Sequence, residues 1–215
     1  MNAKQKARAI IQRLRSRYPE AMTGLDYGTP IQLLISTILS AQCTDARVNH
    51  VTPKLFKKFK NASDFARANR IELEQRIRST GYYHAKARHI QRASRMIIER
   101  FNGKVPKTME ELVQLPGVGR KTANIVLGNA FGILDGIPVD THVQRVSKRL
   151  GLTHHKDPAK IERDLMKLVR KSERLLISDL LIFHGRAICN ARKPHCSQCT
   201  IRTWCSSAGT VPGNW

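Results

Sequence analysis

Long apolar runs are missing from this chain: nowhere do the about 18 consecutive apolar residues that a bilayer-spanning helix needs occur. Acidic residues are scarce. Asp and Glu number 16 against 38 Lys and Arg, a formal charge of +22 over 215 residues. Such an excess predicts a polyanionic partner; nucleic acid is the usual one and an anionic membrane surface is the rival. Residues 1–17 are charged throughout, unlike a secretory signal, so a soluble, cytoplasmic protein is expected. Period-two alternation strong enough for a sheet is lacking too. Cysteine is nearly absent from the first 188 residues: Cys43 stands alone, with the expected fate of a buried thiol acting as a small hydrophobe.

What is present reads almost entirely as helix. Ala7, Ile10, Ile11, Leu14 and Tyr18 recur at helical spacing up to the break at Tyr18-Pro19. Thr29-Pro30 is an N-cap followed by proline at the first helical position. The run behind it, Ile31, Leu33, Leu34, Ile35, Ile38 and Leu39, is apolar nearly all round, which predicts a central buried helix. Thr44 or Asp45 can cap the next, with Val48, Val51, Leu55 and Phe56 on its apolar side. Shorter patches follow at 61–69 around Phe65 and at Ile71, Leu73 and Ile77. A break at Ser79-Thr80-Gly81-Tyr82-Tyr83-His84 leads into a helix with Ile90, Ala93, Ile97 and Phe101, stopped by Asn102-Gly103. Its charges, Lys86, Arg88, Arg92, Arg95 and Arg100, are expected mostly to form a solvated face. Asp157-Pro158 opens a helix with Ile161, Leu165 and Leu168, another spans about 175–188, and 206–215 reads as a loose tail. The expected class is all-α.

The chain is organised around Leu115-Pro116-Gly117-Val118-Gly119-Arg120-Lys121-Thr122-Ala123. Thr108, with Glu111 three residues on, reads as a capping box that opens one short run; Ala123, Ile125, Val126, Leu127 and Ala130 form a second, buried one. Between them, Gly117 and Gly119 allow positive φ and leave N–H groups uncovered, so the second helix's start is a seat for an anion such as phosphate. Lys121 falls in that helix's first turn, where the positive end of the helix dipole repels it and favours the uncharged, nucleophilic amine. From these residues alone, a solvent-facing lysine touching phosphate is the better reading. Nineteen residues on, Asp140 precedes a helical pattern (Val143, Val146, Leu150) as a natural N-cap. His142 reads as a local hydrogen-bonding residue without a catalytic role.

The last 27 residues hold Cys189, Cys196, Cys199 and Cys205 in the spacing C-x6-C-x2-C-x5-C. Four thiolates this close can wrap one centre, either structural zinc or a four-iron cluster. Zinc sites more often use paired C-x2-C knuckles and only one is present, which tilts the reading toward iron–sulfur. Disulfides are the bland alternative, disfavoured without a secretory signal. Arg192 and Lys193 lie in the longest inter-cysteine loop and suit phosphate contact.

Taken together, Leu115-Pro-Gly-Val-Gly-Arg-Lys-Thr-Ala-Asn124, Val139-Asp-Thr-His142 and the cysteine spacing closely resemble the endonuclease III family, bifunctional DNA glycosylase/lyases of the helix-hairpin-helix superfamily. The resemblance implies two helical domains flanking a DNA-binding cleft. One is a barrel over 25–135 containing the helix-hairpin-helix at about 108–131. The other is a discontinuous domain of 1–24 and 136–215, with a [4Fe–4S] cluster loop at 189–205. It implies excision of oxidised or saturated pyrimidines from duplex DNA, followed by strand cleavage, by a protein working as a monomer. By position, Lys121 matches the Schiff-base nucleophile, Asp140 the catalytic carboxylate, and the four cysteines the cluster ligands. Gln42 matches the residue inserted into the gap left by the flipped nucleotide. Tyr82 falls where many members carry a wedging leucine. Gly117, Gly119 and Arg120, with Arg192 and Lys193, are the other expected DNA contacts. The related adenine-mismatch glycosylase is the runner-up, suggested by Tyr82-Tyr83, but it carries a catalytic glutamate where this chain has Thr37 and lacks the lysine. A non-enzymatic DNA-binding module is the alternative of another class.

Overall fold

Helix starts are written into the chain as capping residues, and the computed structural model, which describes residues 1–210, shows them in use. All regular elements among the described residues are helical, and none of those helices is long and apolar enough to cross a membrane. Contacts divide the chain into two units: Gly24–Ile133, and Met1–Thr23 with the chain from Leu134 onward.

The first helix, α1 (Ala3–Arg17), belongs to the discontinuous unit; Asn2 caps it in a reciprocal box with Gln5. The Gly24–Ile133 unit begins with α2 (Pro30–Leu39), where Thr29 caps and every residue from Leu33 to Leu39 is buried, as an all-round apolar helix requires. Thr44, rather than Asp45, caps α3 (Asp45–Lys58). Asn61 and Asn69 cap the short helices α4 (Ala62–Arg67) and α5 (Arg70–Ile77). Phe65 is fully buried, with the Phe59 ring centroid 5.2 Å away. The long helix α6 (Tyr83–Phe101) ends at Asn102 in the left-handed region. Helices α7 (Met109–Leu112) and α8 (Arg120–Phe131) form the two arms of the hairpin. Leu33, Leu39, Phe65, Ile90, Leu115 and Val126 share one core.

In the other unit, α1 packs with α9 (Thr141–Arg149), α10 (Pro158–Leu168) and α11 (Arg174–Ala187) around Ile10, Leu14, Val146, Leu165 and Leu181. Beyond Ala187 the chain turns through two short 3-10 segments, Cys196–Gln198 and Arg202–Trp204.

The mostly solvated face expected of α6 is present in Arg88, Arg92, Arg95 and Arg100, with Lys86 buried as the exception. Other local expectations are corrected. Cys43 is only half-buried at the core's edge, and Ile71 is exposed. The Thr108 hydroxyl accepts from the Glu111 N–H, but the Glu111 carboxylate bonds that hydroxyl instead of the Thr108 N–H, so the box is half made. The expected loose tail starts pinned: Ser206 donates to the Leu150 carbonyl, and the Ser207 N–H donates to that of Arg149. The rest of that tail, 211–215, lies outside the described residues.

Candidate functional site

The hairpin departs from its expected geometry at one glycine. Gly117 has φ +83°, and a Cβ there would meet the His89 side chain at 2.8 Å, so both conformation and close packing require glycine. Gly119 has φ −94° and ψ 176°, extended backbone that any residue adopts. A Cβ on Gly119 would meet nothing within 4 Å, so the fold leaves open space there. Gly119 is the N-cap of α8 and brings no side chain to the helix start. Arg120 and Lys121 follow in the first turn, both exposed, while Ala123, Val126 and Leu127 anchor the helix in the core. An exposed helix start with two cations is a place where an anion is held by backbone dipoles and charge together.

Asp140 lies in the other unit, at the end of the buried run 136–139. That run is fixed from both sides: the Ile137 N–H donates to the buried Glu162 carboxylate at 3.1 Å, and the Ser178 hydroxyl donates to the Pro138 carbonyl at 2.7 Å. Asp140 Oδ1 then accepts from the N–H groups of His142 and Val143, both at 2.8 Å, capping α9. The structural role expected for this residue is therefore present. His142 Nδ1 is 3.1 Å from the Arg145 guanidinium, and burial lowers its pKa, which fits a local hydrogen-bonding role.

Gln42 and Tyr82 share an unusual feature. Both are exposed and both hold left-handed backbone, at φ 52° and 48°. Among the described residues, Asn102 is the one other non-glycine with positive φ. A left-handed side-chain-bearing residue costs on the order of 1 kcal/mol, so each loop is held in place by its surroundings. Thr37, the position to weigh for a catalytic glutamate, is buried and spends its hydroxyl on the Leu33 carbonyl at 2.7 Å.

The four clustered cysteines are half-buried, unpaired by disulfides, and line a common cavity of about 30 Å³ with apolar walls that include Val146, Leu150 and Ile188. Burial pushes the Cys199 thiol up to about 11 and also raises Cys205. Arg149 spans the loop: it donates to Cys189 Sγ at 3.3 Å, to the Asn190 carbonyl at 2.7 Å and to the Ala191 carbonyl at 2.8 Å. His184 lies 3.5 Å from Cys199 Sγ and 3.4 Å from the Tyr18 hydroxyl, and burial lowers its pKa to about 4, so it is neutral at neutral pH. Among the described residues no three His, Cys, Asp or Glu side chains are drawn together as around a single ion. Arg192 and Lys193 are exposed on the loop.

Sequence reading missed Lys86, Arg149 and His184. Lys86 had a visible signal: it lies at helical spacing with Ile90, Ala93 and Ile97, on the stripe that faces the core. The loop partners of Arg149 lie 40 to 42 residues away and Tyr18 lies 166 residues from His184, and no local pattern marks them.

Residues 35–171 match the family model described as HhH-GPD superfamily base excision DNA repair protein. The endonuclease III of Synechocystis sp. is 55% identical over 205 residues, covering 95% of this chain and 94% of that protein. The Escherichia coli K12 endonuclease III is 39% identical over 202 residues, covering 94% and 95%. A solved non-covalent endonuclease III–DNA complex is similar at TM-score 0.90 and 44% identity over 97% of each chain. A trapped endonuclease III–DNA covalent intermediate is similar at the same score and identity, covering 97% of this chain and 98% of that one. With its hairpin, its Asp140 helix start and its cysteine cavity in one all-helical chain, the protein belongs to the endonuclease III family of the HhH-GPD superfamily.

Proposed function

We infer that this chain is a base-excision-repair DNA glycosylase with AP-lyase activity, removing oxidised or saturated pyrimidines from double-stranded DNA and then cutting the strand. The observation that carries it is Lys121, exposed in the first turn of a helix whose glycine cap leaves room for a phosphate. That a close relative has been trapped as a covalent intermediate with DNA supports an amine nucleophile. We place its work in the cytoplasm, as a monomer, with the two units acting as its domains.

The basic surface binds the duplex through phosphates, with the N–H groups at Gly117 and Gly119, Arg120, Arg192 and Lys193 among the contacts. Gln42 and Tyr82 fill the gap when the damaged nucleotide leaves the stack. A saturated pyrimidine has lost aromatic stacking, so extruding it costs less than extruding an intact base. The Lys121 amine attacks the sugar C1′, and the bond from C1′ to the base breaks with its electron pair leaving on the base, which is protonated. Asp140 stabilises the positive charge that develops on the sugar and carries protons. Ring opening leaves an imine between Nζ and C1′. It acidifies the C2′ hydrogen, whose loss expels the 3′ phosphate and cleaves the strand. A hydroxyl or water cannot form that imine, so the lysine decides between excision alone and excision with strand cleavage.

The cysteine loop fits a [4Fe–4S] cluster: four sulfur donors wall one cavity, and Arg149 donates toward one of them. Cys189, Cys196, Cys199 and Cys205 would hold it, and binding requires their thiolate forms. When bound, the cluster supplies a rigid core for a loop that otherwise has only short turns, fixing Arg192 and Lys193 for phosphate contact.

Borohydride trapping tests the nucleophile. On an abasic-site duplex the wild-type protein is expected to give a covalent adduct, and Lys121→Gln none, with DNA affinity kept. Undiminished trapping in the variant removes the assignment.

A further inference from the structure

Lys86 is the exception among the charges of α6. It is 4% exposed, on the core-facing stripe with Ile90, Ala93 and Ile97. Burying an ammonium is costly unless its hydrogens are matched, and a Met of similar length would fill the volume without that cost. Two of its three hydrogens are matched by carbonyls from different segments. Nζ donates to the Leu39 oxygen and to the Thr80 oxygen, both at 2.7 Å.

Those two carbonyls flank the two strained loops. Leu39 ends α2, three residues before Gln42. Its carbonyl belongs to the last helical turn, whose oxygens lack helical partners and attract a cation. Thr80 comes two residues before Tyr82, and the Lys86 backbone N–H also holds the Tyr82 carbonyl at 3.0 Å. Tyr82 is thus bracketed by one residue through both its side chain and its backbone. Thr80 itself is buried, so its carbonyl is presented to Lys86 from inside the fold, while a Cβ on Gly81 would meet nothing within 4 Å.

We propose that Lys86 is a positioning residue: its buried ammonium ties the Gln42 loop to the Tyr82 loop, so that both side chains enter the gap in the duplex as one preset unit. The proposal rests on the reading of Gln42 and Tyr82 as gap-filling residues. Lys86 does not touch DNA; it acts through the two loops, and its effect depends on what they carry.

A mutant cycle tests this, because coupling separates positioning from general stability. Single-turnover excision of a saturated pyrimidine from duplex DNA is measured for Lys86→Met, for Gln42→Ala/Tyr82→Ala, and for the triple variant. Rates are normalised to the fraction of protein that borohydride traps on an abasic-site duplex. Lys86→Met is expected to slow excision at least tenfold in the wild-type background and less than threefold where Gln42 and Tyr82 are already alanine. Fluorescence of a 2-aminopurine beside the lesion should show slower extrusion by a similar factor. Equal slowing in both backgrounds makes Lys86 a purely structural residue and overturns the proposal. Lys86→Gln keeps two N–H donors without the charge and supplies the same cycle should the Met variant fail to fold; it is expected to retain more activity than Lys86→Met. If Gln42→Ala/Tyr82→Ala itself excises at the wild-type rate, the gap-filling reading fails and the proposal falls with it, while trapping through Lys121 is untouched.

Discussion

The two units hold their candidate functional side chains by different means. In Gly24–Ile133, α2, α6 and α8 sink apolar faces into one aliphatic core, and the hairpin and the Gln42 and Tyr82 loops project from helix ends fixed by that packing. In the other unit the helices also pack well, but the segment after Ala187 has only short 3-10 turns. That segment is held by polar anchors, Arg149 to the loop carbonyls and Arg145 to the carbonyl of Cys189, and its thiols line a cavity. Apolar burial is insensitive to what is bound. In the cysteine loop, burial favours the protonated thiols of Cys199 and Cys205, and a bound centre would replace those protons with bonds that tie the loop together. The first unit should therefore keep its shape without a cofactor, and the cysteine loop should not.

The largest effect expected on activity after loss of Lys121 is at Asp140. Asparagine caps a helix about as well as aspartate, so Asp140→Asn keeps α9 while removing the negative charge. Excision should fall by about 10²–10⁴-fold, the range of a lost acid–base or electrostatic group, with DNA affinity nearly constant. Matched losses in rate and affinity would return Asp140 to a capping role alone.

Next comes the contrast between the units themselves. Wild-type protein should be yellow-brown with a broad visible absorption and about four irons per chain, as a [4Fe–4S] centre gives. Cys199→Ser should lose that absorption and speed trypsin cleavage after Arg192 and Arg202, while cleavage after Arg120 and Lys121 stays at the wild-type rate. A colourless, zinc-containing wild-type preparation would replace the cluster with zinc. Equal proteolysis in both units would erase the proposed difference between them.

The smallest effects are at the hairpin glycines, and they should split. Gly117→Ala forces a side chain into left-handed backbone and against His89, so it should cost about 1 kcal/mol or more in urea unfolding. Gly119→Ala meets nothing inside the protein and should leave stability nearly unchanged, within about 0.5 kcal/mol. Its added methyl should instead weaken binding to duplex DNA, read as a lower affinity at fixed salt. A stability loss at Gly119 equal to that at Gly117 would mean that the open space serves the fold and not a phosphate.

How much was legible depended on whether the physics was local. Thr29, Asp140 and Asp157 announce helix starts because a cap is a bond between residues two or three apart. The burial of α2 was legible because every face of it is apolar. The mostly solvated face of α6 was legible from its charges, and what separates Lys86 from the exposed arginines is its place on the apolar stripe. Which of Gly117 and Gly119 takes the positive φ was not legible, because a Gly-Val-Gly hairpin needs only one and nothing in the residue types says which glycine supplies it.

Amino-acid order by itself determined the all-helical class, the caps, the hairpin that ends in Lys121 and the grouping of four cysteines, since each follows from periodicity, turn chemistry or spacing within a few turns of chain. Tertiary structure alone decided that one ammonium joins the carbonyls of Leu39 and Thr80, that Glu162 and Ser178 fix the approach to Asp140, and that Arg149 grips the cysteine loop. Those bonds join residues that only packing brings together, and a buried polar group must find its partner wherever the fold has put one.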